Sequence, residues 1–462
     1  MKSFIDETKI ENILRERKDP PSQEVSDIIE RALHLEGLTL EETAALLQCE
    51  DDNLIEKIFD AARDIKESIY GNRLVLFAPL YVNNYCVNNC LYCGFRRDNK
   101  DLKRIKLDLD EIKDEVESLE DQGHKRILLV AGEDPSCSNM DALEDIIGAI
   151  YKAKKGKGVI RRVNVNVAPL STEDFRRLKK TAIGTYQLFQ ETYHPETYKK
   201  MHPEGPKNDY SWRLYAMDRA QEAGIDDVGI GVLFGLYDYK FEVMALLAHS
   251  FHLEEEFGVG PHTISVPRLQ PAFNTPLSEN VPHPLTDKDF KKLVAVIRLA
   301  VPYTGIILST REPKTLRDEL FDLGVSQISA GSRTKPGAYA EDEETDDGGQ
   351  FYLHDTRTQL QIVKDMLKKG VFPSFCTACY RTGRTGKDFM DLAKPGDIKN
   401  YCLPNCILTF KEYVLDYGDD ELKEKADGVI DKEVEKIPSP QVREKTKENL
   451  KKLESGERDM FF

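Results

Sequence analysis

The chain has 462 residues, 40% of them hydrophobic, enough for a large core and too many for a disordered polypeptide. Its 65 basic and 81 acidic residues leave a net charge of −16, which argues against a general nucleic-acid or membrane-surface role while leaving room for a local basic pocket. No apolar run approaches the roughly 20 residues of a membrane span, and residues 1–15 are charged and lack the apolar core of an export signal, so a cytoplasmic protein is expected.

In chain order, residues 1–71 read as a helical extension. Thr39 is placed to cap a helix, with Glu42 three residues later as its capping-box partner, and 53–70 continues with apolar residues at helical spacing until Gly71-Asn72 breaks it. From there apolar or β-branched runs recur at 74–82, 126–132, 162–168, 185–190, 227–234, 263–269, 305–310 and 325–330. Amphipathic helical stretches alternate with them, at 109–122, 140–154, 172–180, 210–223, 239–256, 287–300, 312–323 and 356–369. Eight strand–helix repeats over residues 72–370 predict an α/β protein, a (β/α)8 TIM barrel; an open doubly wound sheet is the alternative, and the count of eight favours the barrel. Residues 371–462 form a C-terminal subdomain, rich in Gly, Pro and Cys up to 406 and then mainly helical and charged, with 423–458 read as a solvated face.

The nine cysteines are unevenly placed. Cys86, Cys90 and Cys93 lie within eight positions, Cys376, Cys379, Cys402 and Cys406 follow the barrel, and only Cys49 and Cys137 stand alone. Without an export signal such clusters point to metal or redox chemistry rather than disulfides. The first cluster follows the first barrel strand, where loops form the catalytic face. Its C-x3-C-x2-C spacing can hold three irons of a cubane and leave the fourth open to a ligand. A zinc knuckle or a simple electron-carrying cluster are the competing readings, and zinc would want a fourth protein ligand nearby. The second set is a C-x2-C pair, Cys376 and Cys379, with Cys402 after 22 intervening residues. With Cys406 it could close a zinc or iron–sulfur site; without it, a second open cluster results.

C-x3-C-x2-C with the aromatic Tyr92 before its last cysteine, after strand one of a barrel, resembles the signature of the radical S-adenosylmethionine (SAM) superfamily. Ala131-Gly132-Glu133, at the end of the second strand, resembles that superfamily's Gly-Gly-Glu with its first glycine replaced; there Gly132 and Glu133 would meet the SAM amino group. The stretch 229–235, Gly-Ile-Gly-Val-Leu-Phe-Gly, resembles the segment packed on the adenine. C-x2-C-x22-C after such a barrel resembles the tyrosine-cleaving FeFe-hydrogenase maturases over nearly the whole chain. The thiazole-forming tyrosine lyases resemble only the barrel.

This resemblance implies two cofactor sites. Cys86, Cys90 and Cys93 would hold a SAM-binding 4Fe–4S cluster. Cys376, Cys379 and Cys402 would hold an auxiliary 4Fe–4S cluster with a labile fifth iron, ligated by His262 and a free cysteine, and Cys406 would stand aside. His262 precedes the sixth strand, at the barrel end opposite the SAM loop. Glu191 ends the fourth strand and could meet a SAM ammonium or ribose, Arg213 in the following helix could pair with the SAM carboxylate, and Ser332 with Arg333 after the eighth strand suits a substrate carboxylate. The implied activity is cleavage of L-tyrosine to p-cresol and dehydroglycine, the latter converted to carbon monoxide and cyanide for assembly of the hydrogenase active-site cluster. A low-potential electron donor and a maturation scaffold protein are the implied partners. Competing functions are a tyrosine lyase serving thiazole synthesis, a sulfur-inserting enzyme like biotin synthase, and a non-catalytic iron–sulfur scaffold or carrier.

Overall fold

The computed structural model describes residues 3–341 and 348–462. Four helices come first: α1 (Glu7–Glu16), α2 (Ser22–Ala32), α3 (Leu40–Gln48) and α4 (Asp52–Tyr70). Thr39 and Glu42 close the expected capping box at α3, each satisfying a backbone N–H that the helix start leaves unpaired. Gly71, at φ +68°, ends α4 in a conformation that costs other residues strain. The extension is fastened to the barrel by α4, which packs on the Asp287–Ala300 helix; its Lys66 Nζ donates to the Phe321 carbonyl at 3.1 Å.

Nine strands follow among the described residues: β1 (Arg73–Asn83), β2 (Arg126–Ala131), β3 (Arg162–Asn166), β4 (Tyr186–Gln187), β5 (Val228–Gly231), β6 (Thr263–Ser265), β7 (Gly305–Leu308), β8 (Gln327–Ser329) and β9 (Phe372–Ser374). β1 to β8 pair in sequence order, all parallel, and β1 bonds to both β2 and β8, which closes the barrel. Closure excludes the open doubly wound sheet. The ladders are shorter than the apolar runs in the later strands, because the extended chain continues toward the upper mouth with only isolated bridges, such as Glu191 with Val232 and Phe234 with Arg268. The 210–223 stretch is two helices, Tyr210–Leu214 and Ala216–Glu222, joined at Tyr215.

The ninth strand was not foreseen. β9 pairs with the first residues of β1, Arg73 to Val75, below the level at which β8 pairs with β1. Residues just before Cys376 are therefore bonded into the lower rim of the barrel. The Lys399–Tyr417 helix packs against β9 and is itself covered by the Asp420–Glu435 and Pro440–Glu454 helices through Leu422, Ala426, Ile430, Val434 and Leu453. No helix among the described residues is long and apolar enough to cross a membrane.

Candidate active site

The upper mouth is built on the loop leaving β1. Backbone bonds fix its path: Val87 N donates to Glu133 O at 2.8 Å, Asn89 N to Glu204 O at 3.2 Å, and Leu91 N to Met201 O at 3.0 Å. Gly132 belongs to this clamp, since a side chain there would collide with the Tyr85 carbonyl. Glu133 accepts from Asn88 Nδ2 at 2.6 Å. Both residues hold the cysteine loop, and neither is among the residues lining the cavity beneath it.

That cavity, of about 150 Å³, is lined by Tyr92, Cys93, Glu191, Lys207, Arg213, Arg311 and Ser332, with Phe77, Phe189, Leu233 and Phe351 as apolar wall. Cys90 is buried, Cys86 and Cys93 partly so. Burial pushes the Cys90 thiol up to about 12 and Cys93 up to about 11, so these sulfurs become thiolates readily only against a cationic partner such as iron. Tyr92 is held by its hydroxyl, 2.8 Å from His202 Nε2; His202 Nδ1 faces the Tyr198 carbonyl at 2.8 Å, so Nδ1 carries the proton and Nε2 accepts from Tyr92.

Glu191 is the most constrained residue of this mouth. It sits at φ +71°, a left-handed conformation costing a non-glycine residue of order 1 kcal/mol or more. Lys207 Nζ lies 2.6 Å and Arg213 Nη2 3.4 Å from its Oε1. Burial alone would raise this carboxyl; the two cations prevail and hold it below the usual carboxylate range. Arg213 is buried rather than on a surface helix face, and its Nε donates to the Phe189 carbonyl at 2.7 Å. Behind Glu191, the buried Glu242 accepts from Thr192 Oγ1 and, at 2.8 Å, from Tyr193 N, fixing the end of this strand.

One expectation needs correction. Ser332 lines the cavity, and its buried Oγ has no partner among the described residues, but Arg333 does not line it. Gly331, at φ +57°, shifts the alternation by one residue after β8, so Ser332 and Thr334 line the cavity with Ser329 while Arg333 does not; the Arg333 backbone N–H donates to Tyr339 Oη at 3.0 Å. The cavity's arginine is Arg311, after β7, whose guanidinium carbon lies 3.3 Å from the Phe351 ring centroid. Arg311 and Lys207 were missed by sequence reasoning. Arg311 could have been found, since Ser309-Thr310-Arg311 leaves a strand at the catalytic face; Lys207 carries no local signal.

At the lower mouth a second cavity, of about 60 Å³, is lined by Cys376, Cys379, Cys402 and His262, together with Tyr70, Arg73, Arg126 and Tyr380. The three thiols come from different elements: Cys376 just after β9, Cys379 in the Ala378–Arg381 turn of helix, and Cys402 in the Lys399–Tyr417 helix. Arg73 Nη2 donates to Cys402 Sγ at 2.9 Å and Arg126 Nη2 to the Cys376 carbonyl at 2.8 Å. Cys406 is absent from the cavity lining and donates to the Pro373 carbonyl at 3.3 Å. Burial lowers the His262 pKa against the opposing pull of Asp227, whose Oδ1 lies 3.6 Å from Nδ1, so the imidazole is neutral and able to ligate. Nε2 lies 3.2 Å from Tyr380 Oη.

Both cavities fit polar guests. Soft thiols come in threes at each mouth, and buried polar atoms without hydrogen-bond partners among the described residues face each cavity: Ser332 Oγ above, Arg126 Nε, His262 Nδ1 and Ser326 Oγ below. The thiol sets are spread, since no three described His, Cys, Asp or Glu side chains converge on one ion position. The cavities also approach each other closely. Val75, Gly305 and Gln327 line the lower one, and Phe77, Ile307 and Ser329, each two residues further along its strand, line the upper one. Two residues of strand advance about 6.6 Å.

A closed parallel barrel with three thiols on the loop after its first strand defines a class, the radical-type iron–sulfur barrel enzymes. The family model of the radical SAM superfamily matches residues 80–248, and that of the Biotin and Thiamin Synthesis associated domain matches 265–371. The chain is 31% identical to the 2-iminoacetate synthase of Salmonella typhimurium over 346 residues, 75% of this chain and 89% of that one. Among solved structures, a HydG described as a maturase of the FeFe-hydrogenase is 55% identical, with a TM-score of 0.96, over 99% of this chain and all of that one. The FeFe-hydrogenase maturase HydG from Carboxydothermus hydrogenoformans is 45% identical, with a TM-score of 0.84, over 96% and 97%. The chain belongs to the HydG family of radical SAM enzymes, and with that membership come a 4Fe–4S cluster and SAM as cofactors.

Proposed function

We propose that this enzyme cleaves L-tyrosine to p-cresol and dehydroglycine at the upper mouth, and converts dehydroglycine to carbon monoxide and cyanide at the lower mouth for FeFe-hydrogenase active-site assembly. The observation that carries this reading is a set of three thiols at each end of one barrel, on the loop above the upper cavity that Cys93 lines and around the lower cavity that Cys376, Cys379 and Cys402 line, with the two linings two residues apart along their strands. The similarity to a 2-iminoacetate synthase supports the first half, because 2-iminoacetate is dehydroglycine in another name; the HydG structures support the maturation context.

Cys86, Cys90 and Cys93 would hold the first cluster, and Tyr92 and Glu191 would be among the residues that meet SAM. When bound, this pair of cofactors supplies a carbon-centred radical that takes hydrogen from the tyrosine amino group. The protein's part is orientation and exclusion. Arg311 and Ser332 receive the tyrosine carboxylate, a guanidinium with an adjacent hydroxyl being suited to two oxygens. Glu191, its carboxylate kept ionised by Lys207 and Arg213, accepts N–H or O–H donors from SAM. Phe77, Phe189 and Phe351 keep water and alternative hydrogen donors from the reacting carbon.

Dehydroglycine, small and polar, has a polar interior to cross. Gln187 Nε2 lies 3.5 Å from Thr263 Oγ1, and Gly229 leaves room beside both; Arg126 Nη1 donates to Gln327 Oε1 at 3.4 Å one layer lower. Below, Cys376, Cys379 and Cys402 would hold the auxiliary cluster, and His262 with a free cysteine would hold the labile iron, the cargo destined for a scaffold protein. Anaerobic incubation with SAM, reductant and tyrosine tests the whole reading. It should yield p-cresol together with carbon monoxide; p-cresol alone would indicate the thiazole-type lyase, and neither product a scaffold or carrier.

A further inference from the structure

The loop following the three thiols is basic in an acidic protein. Residues 96–106 contain six basic residues, Arg96, Arg97, Lys100, Lys103, Arg104 and Lys106, against two acidic ones, Asp98 and Asp101, in a chain of net charge −16. The loop is fixed to the cluster loop. Asn84 N donates to Ile105 O at 3.0 Å, its Nδ2 donates to Lys103 O at 2.9 Å, and its Oδ1 accepts from Ile105 N at 2.7 Å. Asn83 bridges Lys106 in antiparallel register, and the Arg104 guanidinium donates to the carbonyls of Asn84, Phe95 and Arg96 at 2.6–2.9 Å. The charges therefore stand in set positions beside Cys86, two residues beyond Asn84.

Their use is divided. Arg104 serves the loop itself, and Arg97 pairs with Asp98 and Glu204. Lys100, Lys103 and Lys106 are exposed, and none forms an ion pair with another described residue; Lys100 and Lys106 reach only the carbonyls of Arg97 and Ser136. Next to Cys86, itself partly exposed, stands Tyr85, 37% exposed and one of few large apolar side chains at the surface. Held cations without counter-charges around a wet aromatic make a surface complementary to an acidic partner. The patch is one loop wide. In a chain of net charge −16 so short a basic stretch suits a small protein better than an extended polyanion such as a nucleic acid.

We propose that Tyr85, Lys100, Lys103 and Lys106 form the docking surface for a small acidic electron-carrier protein with a low-potential flavin or iron–sulfur group. The inference rests on Cys86, Cys90 and Cys93 holding the first cluster. One electron leaves the carrier and enters that cluster, and no atom changes hands. Such encounters bury little surface and depend on charge.

An acidic flavodoxin is the probe. Its affinity for the cluster-loaded enzyme, measured by calorimetry, should fall steeply from low to high ionic strength. The triple variant Lys100→Glu, Lys103→Glu, Lys106→Glu should bind at least about tenfold more weakly at low salt. It should slow cluster reduction by reduced flavodoxin to match, and leave reduction by uncharged photoreduced deazaflavin unchanged. The corresponding Lys→Arg triple variant should keep wild-type values. Salt-independent binding, an unaltered affinity in the Lys→Glu variant, or an equal loss with both reductants overturns the proposal. SAM cleavage by the wild-type enzyme with deazaflavin checks the cluster assignment separately.

Discussion

The two mouths of the barrel hold similar donor sets built in opposite ways. Above, the three thiols lie within eight residues on one loop, which β1 and β2 clamp through Asn83, Val87, Gly132 and Glu133. Below, they come from three elements outside the eight-strand barrel, and the fourth donor, His262, from a barrel strand's entrance. The upper cavity is larger and holds three cations facing one carboxylate, Glu191; the lower is small and walled by arginines and aromatic rings. A site for a nucleoside-sized cofactor and an amino acid needs room and orienting charge. A site that would break down a fragment of five non-hydrogen atoms needs enclosure. The difference implies that the mouths can be disabled separately.

The largest expected effect breaks the comparison from the top. Cys86→Ala should abolish SAM cleavage and with it p-cresol, carbon monoxide and cyanide, read by product chromatography and carbon monoxide trapping. Cys376→Ala should act mainly below, removing carbon monoxide release while p-cresol formation stays partly active. Carbon monoxide at the wild-type level from that variant would refute the division between mouths. Arg311→Leu sharpens the assignment inside the upper cavity. Loss of a charge-assisted carboxylate contact should raise KM for tyrosine roughly 10- to 100-fold, with uncoupled SAM cleavage retained, whereas Arg333→Leu should change KM little.

The smallest effect concerns the support of Glu191. Burial raises the Glu242 carboxyl to about 8, from an ordinary value near 4.5 when unfolded. Between those values the folded protein holds a proton that the unfolded chain has released, so stability falls as pH rises through that window, by up to about 1.4 kcal/mol per pH unit. Glu242→Gln should flatten the decline in melting temperature between neutral and mildly alkaline pH by a degree or two. An unchanged slope would mean that Glu242 is not the titrating group.

Much of the frame was readable along the chain. The periodic runs from 74 to 330 mark all eight strands, and Thr39 and Glu42 place the start of α3, because alternation and capping are local properties. The upper thiol set is visible for the same reason: its ligands are neighbours in sequence. Sequence reading stopped where position depends on what a strand end faces. Arg333 was named and Arg311 passed over because nothing local tells which mouth arginine turns inward; the left-handed Gly331 after β8, which shifts the alternation, decides it for Arg333. Lys207 reaches Glu191 from a segment with no motif. β9 escaped notice because a three-residue strand containing Pro373 is recognisable only by the strand it joins.

By itself the sequence determined the alternation that makes a barrel, the three-thiol loop, and the three further cysteines that distinguish this chain from a lyase lacking them. Only the tertiary structure decided that the barrel closes, that His262 and three distant thiols share one small cavity, and that Glu191 is held between Lys207 and Arg213. Hydrogen-bonding period and ligand spacing are written in neighbouring residues, whereas closure, burial and charge pairing arise between residues that meet only after the chain has folded.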